Sequence, residues 1–159
     1  MNRRFRLKKR EVQEVLAKAS VTLGDIDLTK FIKGMEAAKI GSQNRVFLGG
    51  GKPIFIEDNG EVFPTLLNKE VLEALPKLTV DMEAVPHICN GADLMAPGIV
   101  KIRGEFKAGA TVVVVDQKHS KSIALVKTLY DSHELAEKRR GKVAKNIHYV
   151  GDKFWKELK

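Results

Sequence analysis

Apolar residues recur along this chain with two different periods, and the change from one to the other divides it. Arg3 to Leu7 alternates basic and apolar residues, with Phe5 and Leu7 on one face and Arg4 and Arg6 on the other, which is the period of a strand. From Lys8 to Ala19 the apolar positions are Val12, Val15, Leu16 and Ala19, a stripe along one side of an amphipathic helix. Leu28, Phe31, Ile32 and Met35 repeat that spacing, so a second helix is expected within residues 25–40, interrupted by Gly34. The period then falls to two. Arg45 to Leu48 and Pro53 to Glu57 read as strands joined across Gly49-Gly50-Gly51, and Asn59-Gly60 predicts a type I′ turn into residues 61–66. A helix over residues 69–75 follows, with Asn68 at its N-cap and Pro76 closing it.

Beyond Pro76 the pattern is mostly strand-like. A short strand is expected at Thr79 to Asp81, then a helix over residues 83–89 that delivers the chain into a segment rich in turn residues. Strands over residues 99–103, 111–116, 122–130 and 143–150 follow. Between the last two lies a helix opened by a capping box of Asp131 and Glu134 and ended near Gly141. Val112 to Val115 is apolar on both faces and predicts a central strand. In a strand from Val143, Lys145, Ile147 and Tyr149 share one face, while Ala144, Asn146, His148 and Val150 share the other. So many short strands favour a small closed barrel, which leaves no exposed edges. The pattern predicts an α+β protein, with a small N-terminal α/β domain over residues 1–77 and a β-barrel or pseudo-barrel domain over residues 78–159.

Charge adds a partner class. The 159 residues carry a net charge of +8, with 43% apolar and 30% charged residues, which is ordinary globular composition. Residues 1–10 hold +6 and residues 138–159 hold +6, leaving −4 for the rest. A basic excess confined to the two ends suits a polyanion if the fold brings the ends together, and solvated tails if it does not. No apolar run is long enough to span a bilayer, and Met1 to Arg6 lacks the apolar core of a secretory signal, so a cytoplasmic protein without a membrane partner is expected. Cys89 is the single cysteine and cannot form an intramolecular disulfide, which fits a reducing compartment.

Candidate chemistry centres on Asn90-Gly91-Ala92-Asp93-Leu94-Met95-Ala96-Pro97-Gly98-Ile99. Two turn dipeptides, Asn90-Gly91 and Pro97-Gly98, bracket a few small and apolar residues. Such a loop is either a tight helix-to-strand connection or a place where backbone N–H groups meet a phosphate or a base. It is not a Walker loop, since no Gly-Lys-Ser/Thr follows, and the glycine spacing is wrong for a dinucleotide fingerprint.

Those residues, preceded by Asp81 and followed by Phe106-x-x-Gly109, the valine strand and the segment from Gly141 to Trp155, resemble a PUA domain, an RNA-binding barrel. The resemblance covers about half of the chain, roughly Leu78 to Leu158. Phe63-Pro64-Thr65-Leu66, Lys145-Asn146-Ile147-His148-Tyr149 and Asp152-x-x-Trp155 are further similar to the malignant T-cell amplified sequence proteins and their archaeal relatives. This implies binding of structured RNA, tRNA or rRNA, in translation initiation or recycling, with the small ribosomal subunit or a second protein as partner and without a cofactor. The alternative is an RNA-targeting subunit for a tRNA- or rRNA-modifying enzyme.

The candidate RNA-binding set is Asn90, Gly91, Ala92, Asp93, Met95, Pro97 and Gly98 in the loop, Arg103 and Lys127 on barrel strands, Lys145, His148 and Lys153 near the C-terminus, and Arg4 and Arg6 at the N-terminus. Arg3, Lys8, Lys142 and Tyr149 stand beside them in sequence. Core packing competes for Tyr149 and Trp155, and a structural hydrogen bond competes for His148. Catalysis is not expected. Asp81, Asp93, Asp116 and Asp131 each sit where turn or cap chemistry explains them, and His87-x-Cys89 lacks further ligands for a metal.

Overall fold

The apolar stripe that begins at Val12 runs a turn further than its clearest part, to Leu23, and the helix follows it. In the computed structural model, which describes residues 3–159, α1 spans Lys9–Leu23 and buries Val12, Val15, Leu16, Ala19 and Leu23. It covers an antiparallel sheet of β1 (Phe5–Arg6), β2 (Glu36–Ile40), β3 (Asn44–Gly49), β4 (Lys52–Asp58) and β5 (Glu61–Pro64), paired in sequence order. Asn59 and Gly60 turn β4 into β5 with φ of 52° and 78°, both left-handed as a type I′ turn requires. Asn68 caps α2 (Lys69–Ala74), its side chain accepting the Val71 N–H at 3.3 Å.

The helix expected within residues 25–40 is not formed. That stretch holds a single 3-10 turn, Thr29–Phe31, and then β2. Gly34 breaks the helical path at φ 69°, and residues 36–40 find pairing partners on β1 and on residues 44–48 of β3. Pairing across the sheet outweighs the local period. Ala37 and Ala38 are both buried, so this strand is closely covered on each side.

A second sheet takes in β6 (Lys77–Val80), β7 (Leu94–Met95), β8 (Ile99–Arg103), β9 (Thr111–Asp116), β10 (Ser122–Thr128) and β11 (Lys142–Tyr149). Its order is β7-β11-β10-β9-β6-β8, with β6 and β9 parallel and the other pairs antiparallel. The ladder curls into a half-barrel whose ends, β7 and β8, are joined by the 3-10 turn Ala96–Gly98 rather than by strand pairing. All six residues of β9 are buried because each face meets a different core. Val113 and Val115 pack with the first sheet and α1, while Val112 and Val114 face the interior of the curl.

The short helices are α3 (Val85–Ile88), α4 (Ser132–Glu137) and α5 (Lys153–Leu158). The expected capping box is absent from α4. Asp131 turns its carboxylate to the Ala108 N–H at 2.8 Å instead, tying the β8–β9 connection, and the helix stops four residues short of Gly141. No described helix is long and apolar enough to cross a membrane.

Candidate nucleic-acid interface

One turn of helix, α3, sets up the central loop. Gly91 follows it at φ 94°, a conformation that side chains with a Cβ resist, and a Cβ there would come within 3.3 Å of the Tyr149 hydroxyl. Gly98 serves a different purpose. Its carbonyl accepts the Asp81 N–H at 3.0 Å, and an added Cβ would press on Ala84 at 3.2 Å. Four of the loop's amides are turned inward. Asn90 and Ala92 both donate to the His87 carbonyl, Gly91 to Ile88, and Ala96 to Gly141, so these N–H groups are already used. The loop offers its outer surface, with Asn90, Gly91, Ala92 and Pro97 exposed and Met95 48% exposed.

Asn146, on β11, fastens the loop from beneath. Its side-chain N–H groups donate to the carbonyls of Ile88 and Ala92, both at 3.0 Å, while its backbone N–H donates to the Asp93 carboxylate at 2.9 Å. The other Asp93 oxygen lies 3.4 Å from the Lys142 ammonium. Asp93 is therefore half-buried scaffold rather than a group free to meet RNA.

Beside the loop, between β8 and α4, runs a groove of about 450 Å³. Ala96, Ile102 and Leu135 give it an apolar floor, and Lys101, Lys138 and Arg139 line it with positive charge. Val100, 47% exposed, and Pro97 line it too, and Met95, next in sequence to its Ala96, pairs with Lys142 across β7 and β11. The Lys138 ammonium lies 4.3 Å from the Tyr130 ring centroid. Exposed apolar faces interleaved with cations suit unpaired bases and phosphates together. Lys101, Lys138 and Arg139 are absent from the sequence-derived set, because their approach depends on how β8 folds against α4. A larger cleft of about 930 Å³ between the sheets carries Asp25, Asp27, Glu70 and Glu105 against Lys30 and Lys107, a charge balance that opposes a polyanion.

The remaining candidates are dispersed. Arg103 is exposed at the far end of β8, about 13 Å along the strand from Ile99. It pairs there with Lys77, whose ammonium is bound by the carbonyls of Leu72, Glu73 and Leu75 and whose pKa is pushed down by burial and by Arg103. Lys127 and Lys145 are cross-strand neighbours on the sheet face turned toward β5, where Lys127 meets Glu61 at 3.2 Å. Lys153 opens α5 with its ammonium 5.0 Å from the Phe154 ring centroid. Arg4 and Arg6 lie at β1, the outermost strand of the first sheet, so the basic N-terminus and the groove do not form one surface.

His148 is inside. It is fully buried, its Nε2 accepting the Leu66 N–H at 3.2 Å and its Nδ1 bound to Asp152 at 2.8 Å, so it cannot face RNA as a candidate reader. The Leu66 amide fixes the neutral tautomer with its proton on Nδ1. Burial opposes the charge on Asp152, yet hydrogen bonds from His148 and from the amides of Trp155 and Tyr149 outweigh it and hold this carboxyl below its usual range. β11 takes in an extra residue at a register shift between Leu125 and Val126. The bulge puts Lys145, Ile147 and His148 on the side of the first sheet and Asn146 and Tyr149 on the other, breaking strict alternation. Cys89 is half-buried, and burial pushes its thiol pKa up, away from the reactive thiolate.

The PUA domain family profile matches residues 76–150. An uncharacterized protein of Methanocaldococcus jannaschii is 35% identical over 158 residues, covering 98% of this chain and 96% of its own. Translation machinery-associated protein 20 of Schizosaccharomyces pombe is 27% identical over 134 residues, covering 79% of this chain and 74% of its own. A crystal structure of a hypothetical protein from Pyrococcus horikoshii OT3 superposes with a TM-score of 0.81 at 32% identity, covering 99% of this chain and 100% of that one.

Proposed function

The chain belongs to the PUA-domain proteins, and from that premise we propose that it is a non-catalytic binder of structured RNA, tRNA or rRNA, acting in translation initiation or recycling. We read residues 1–77 and 78–159 as its two domains. The observation that carries the proposal is the groove between β8 and α4, where Lys101, Lys138 and Arg139 surround an apolar floor beside the exposed Met95, Pro97 and Val100. Cations hold phosphates there while the apolar faces receive unstacked bases. Gly91 and Asn146 keep the adjoining loop in shape, and Asn90, Gly91 and Ala92 form its rim. The similarity to a protein named for the translation machinery extends into the first sheet, beyond the PUA match, which supports a role in translation over one in RNA modification.

The test is ultraviolet crosslinking of the protein in cell extract, followed by identification of the attached RNA and of the particle with which it sediments. Attachment of tRNA or small-subunit rRNA, mapped to residues 90–102 or 138–142, is expected. Recovery with an RNA-modifying enzyme instead would transfer the protein to the targeting role, and crosslinks confined to other surfaces would remove the groove from the site.

A further inference from the structure

The basic N-terminus forms a built surface of its own. A cleft of about 330 Å³ opens between β1, the start of α1 and the turn after the 3-10 segment. Arg6, Lys9 and Lys33 line it, no acidic residue does, and Leu7, Val12 and Ile32 supply its apolar wall. Among the described residues Arg6, Lys9 and Lys33 make no ion pair or side-chain hydrogen bond. Ile32, at 40% exposure, presents an apolar face to solvent within it. Lys9 and Arg10 occupy the first turn of α1 together with Glu11, whose carboxylate accepts the Lys8 amide at 2.9 Å and leaves the Lys9 ammonium unpaired.

This cleft is remote from the groove. β1 is the outer edge of the first sheet, four strand steps or about 19 Å from β5, and it is β5 that reaches the second sheet through Glu61 and Lys127. We infer that the cleft between β1 and α1 is a second RNA-binding site, taking a single-stranded or looped segment whose phosphates meet Arg6, Lys9 and Lys33 and whose bases rest on Ile32 and the apolar wall beside it. This inference rests on the RNA-binding role proposed above for its partner surface. The protein then bridges two RNA segments instead of holding one.

The experiment uses the full chain held on beads by an immobilised tRNA transcript and measures capture of a fluorescent 12-nucleotide single-stranded RNA. Wild type is expected to capture it. The triple variant Arg6→Glu, Lys9→Glu, Lys33→Glu is expected to stay on the beads and capture at least tenfold less. Melting temperature checks that it folds, and the milder Arg6→Gln, Lys33→Gln variant is expected to lie between the two. Wild type that captures no strand, or a folded triple variant that captures as well as wild type, overturns the second site and leaves the groove standing. If the beads retain no protein, the groove reading fails instead. Binding of the strand is then measured on free protein, where loss on triple substitution supports the cleft and equal binding, or none by wild type, overturns it.

Discussion

At Gly91 a single residue meets both a backbone and a packing constraint. Its φ of 94° strains a β-branched side chain, and a Cβ there would press on the Tyr149 hydroxyl at 3.3 Å. Gly91→Val is therefore expected to cost about 2 kcal/mol and to lower the melting temperature by about 4 to 8 °C, read by thermal denaturation. An unchanged melting temperature would mean that the loop relaxes freely. Asn146 is the complementary position, since it supplies donors rather than space. Asn146→Asp keeps the shape but sets an acceptor against the carbonyls of Ile88 and Ala92. RNA affinity is expected to fall about tenfold, with faster exchange of the Gly91 and Ala92 amides. Normal amide protection would show that the loop is held elsewhere. Asp152 gives a pH signature. Its folded pKa lies below the unfolded one, so its contribution is complete above the ordinary value of about 4 and is lost as pH falls through the lower folded value. Asp152→Asn is expected to destabilise the protein at neutral pH and to flatten the acid limb of its stability curve, measured by denaturation between pH 2 and 7. A limb as steep as wild type would place the acid sensitivity in other carboxylates.

Elements differed in how much the sequence revealed, and the differences have physical causes. α1, the Asn59-Gly60 hairpin and the valine strand were legible because period, turn chemistry and composition agree there. β2 was not, since Leu28, Phe31, Ile32 and Met35 keep a helical spacing while hydrogen bonding to β1 and β3 decides the outcome. His148 stood as an RNA candidate against a structural hydrogen bond, and the structural reading holds because of a bulge in β11 and of Leu66 and Asp152, partners that nothing local announces. The loop was legible as a turn-rich segment but not as one that spends the amides of Asn90, Gly91, Ala92 and Ala96 internally. The groove itself was hidden, since Lys101, Lys138 and Arg139 meet only after β8 and α4 are placed. Capping of α2 was legible at Asn68 and not at its other end. There the Lys77 ammonium binds the carbonyls of Leu72, Glu73 and Leu75, and Lys77→Met is expected to cost about 1 to 3 kcal/mol in chemical denaturation. A cost near zero would mean that water replaces the ammonium without loss.

The whole molecule is tied together across its two sheets. Val113, Val115 and Leu125 of the second sheet pack in the same core as the first, and the amide of Leu66 reaches the His148 ring. Calorimetry is therefore expected to show one unfolding transition. At the same scale the basic chain carries two separated cationic surfaces, the groove on the second sheet and the cleft at β1. The central claim is that the groove holds RNA through its cations. The most direct measurement is the affinity of the full chain for a tRNA transcript across a salt series, with Lys101→Glu, Arg139→Glu beside wild type. The account predicts a steep linear fall of log affinity with log salt, and a variant that binds at least tenfold more weakly with a slope shallower by about 2. A salt-insensitive affinity, or a folded variant indistinguishable from wild type, would contradict it.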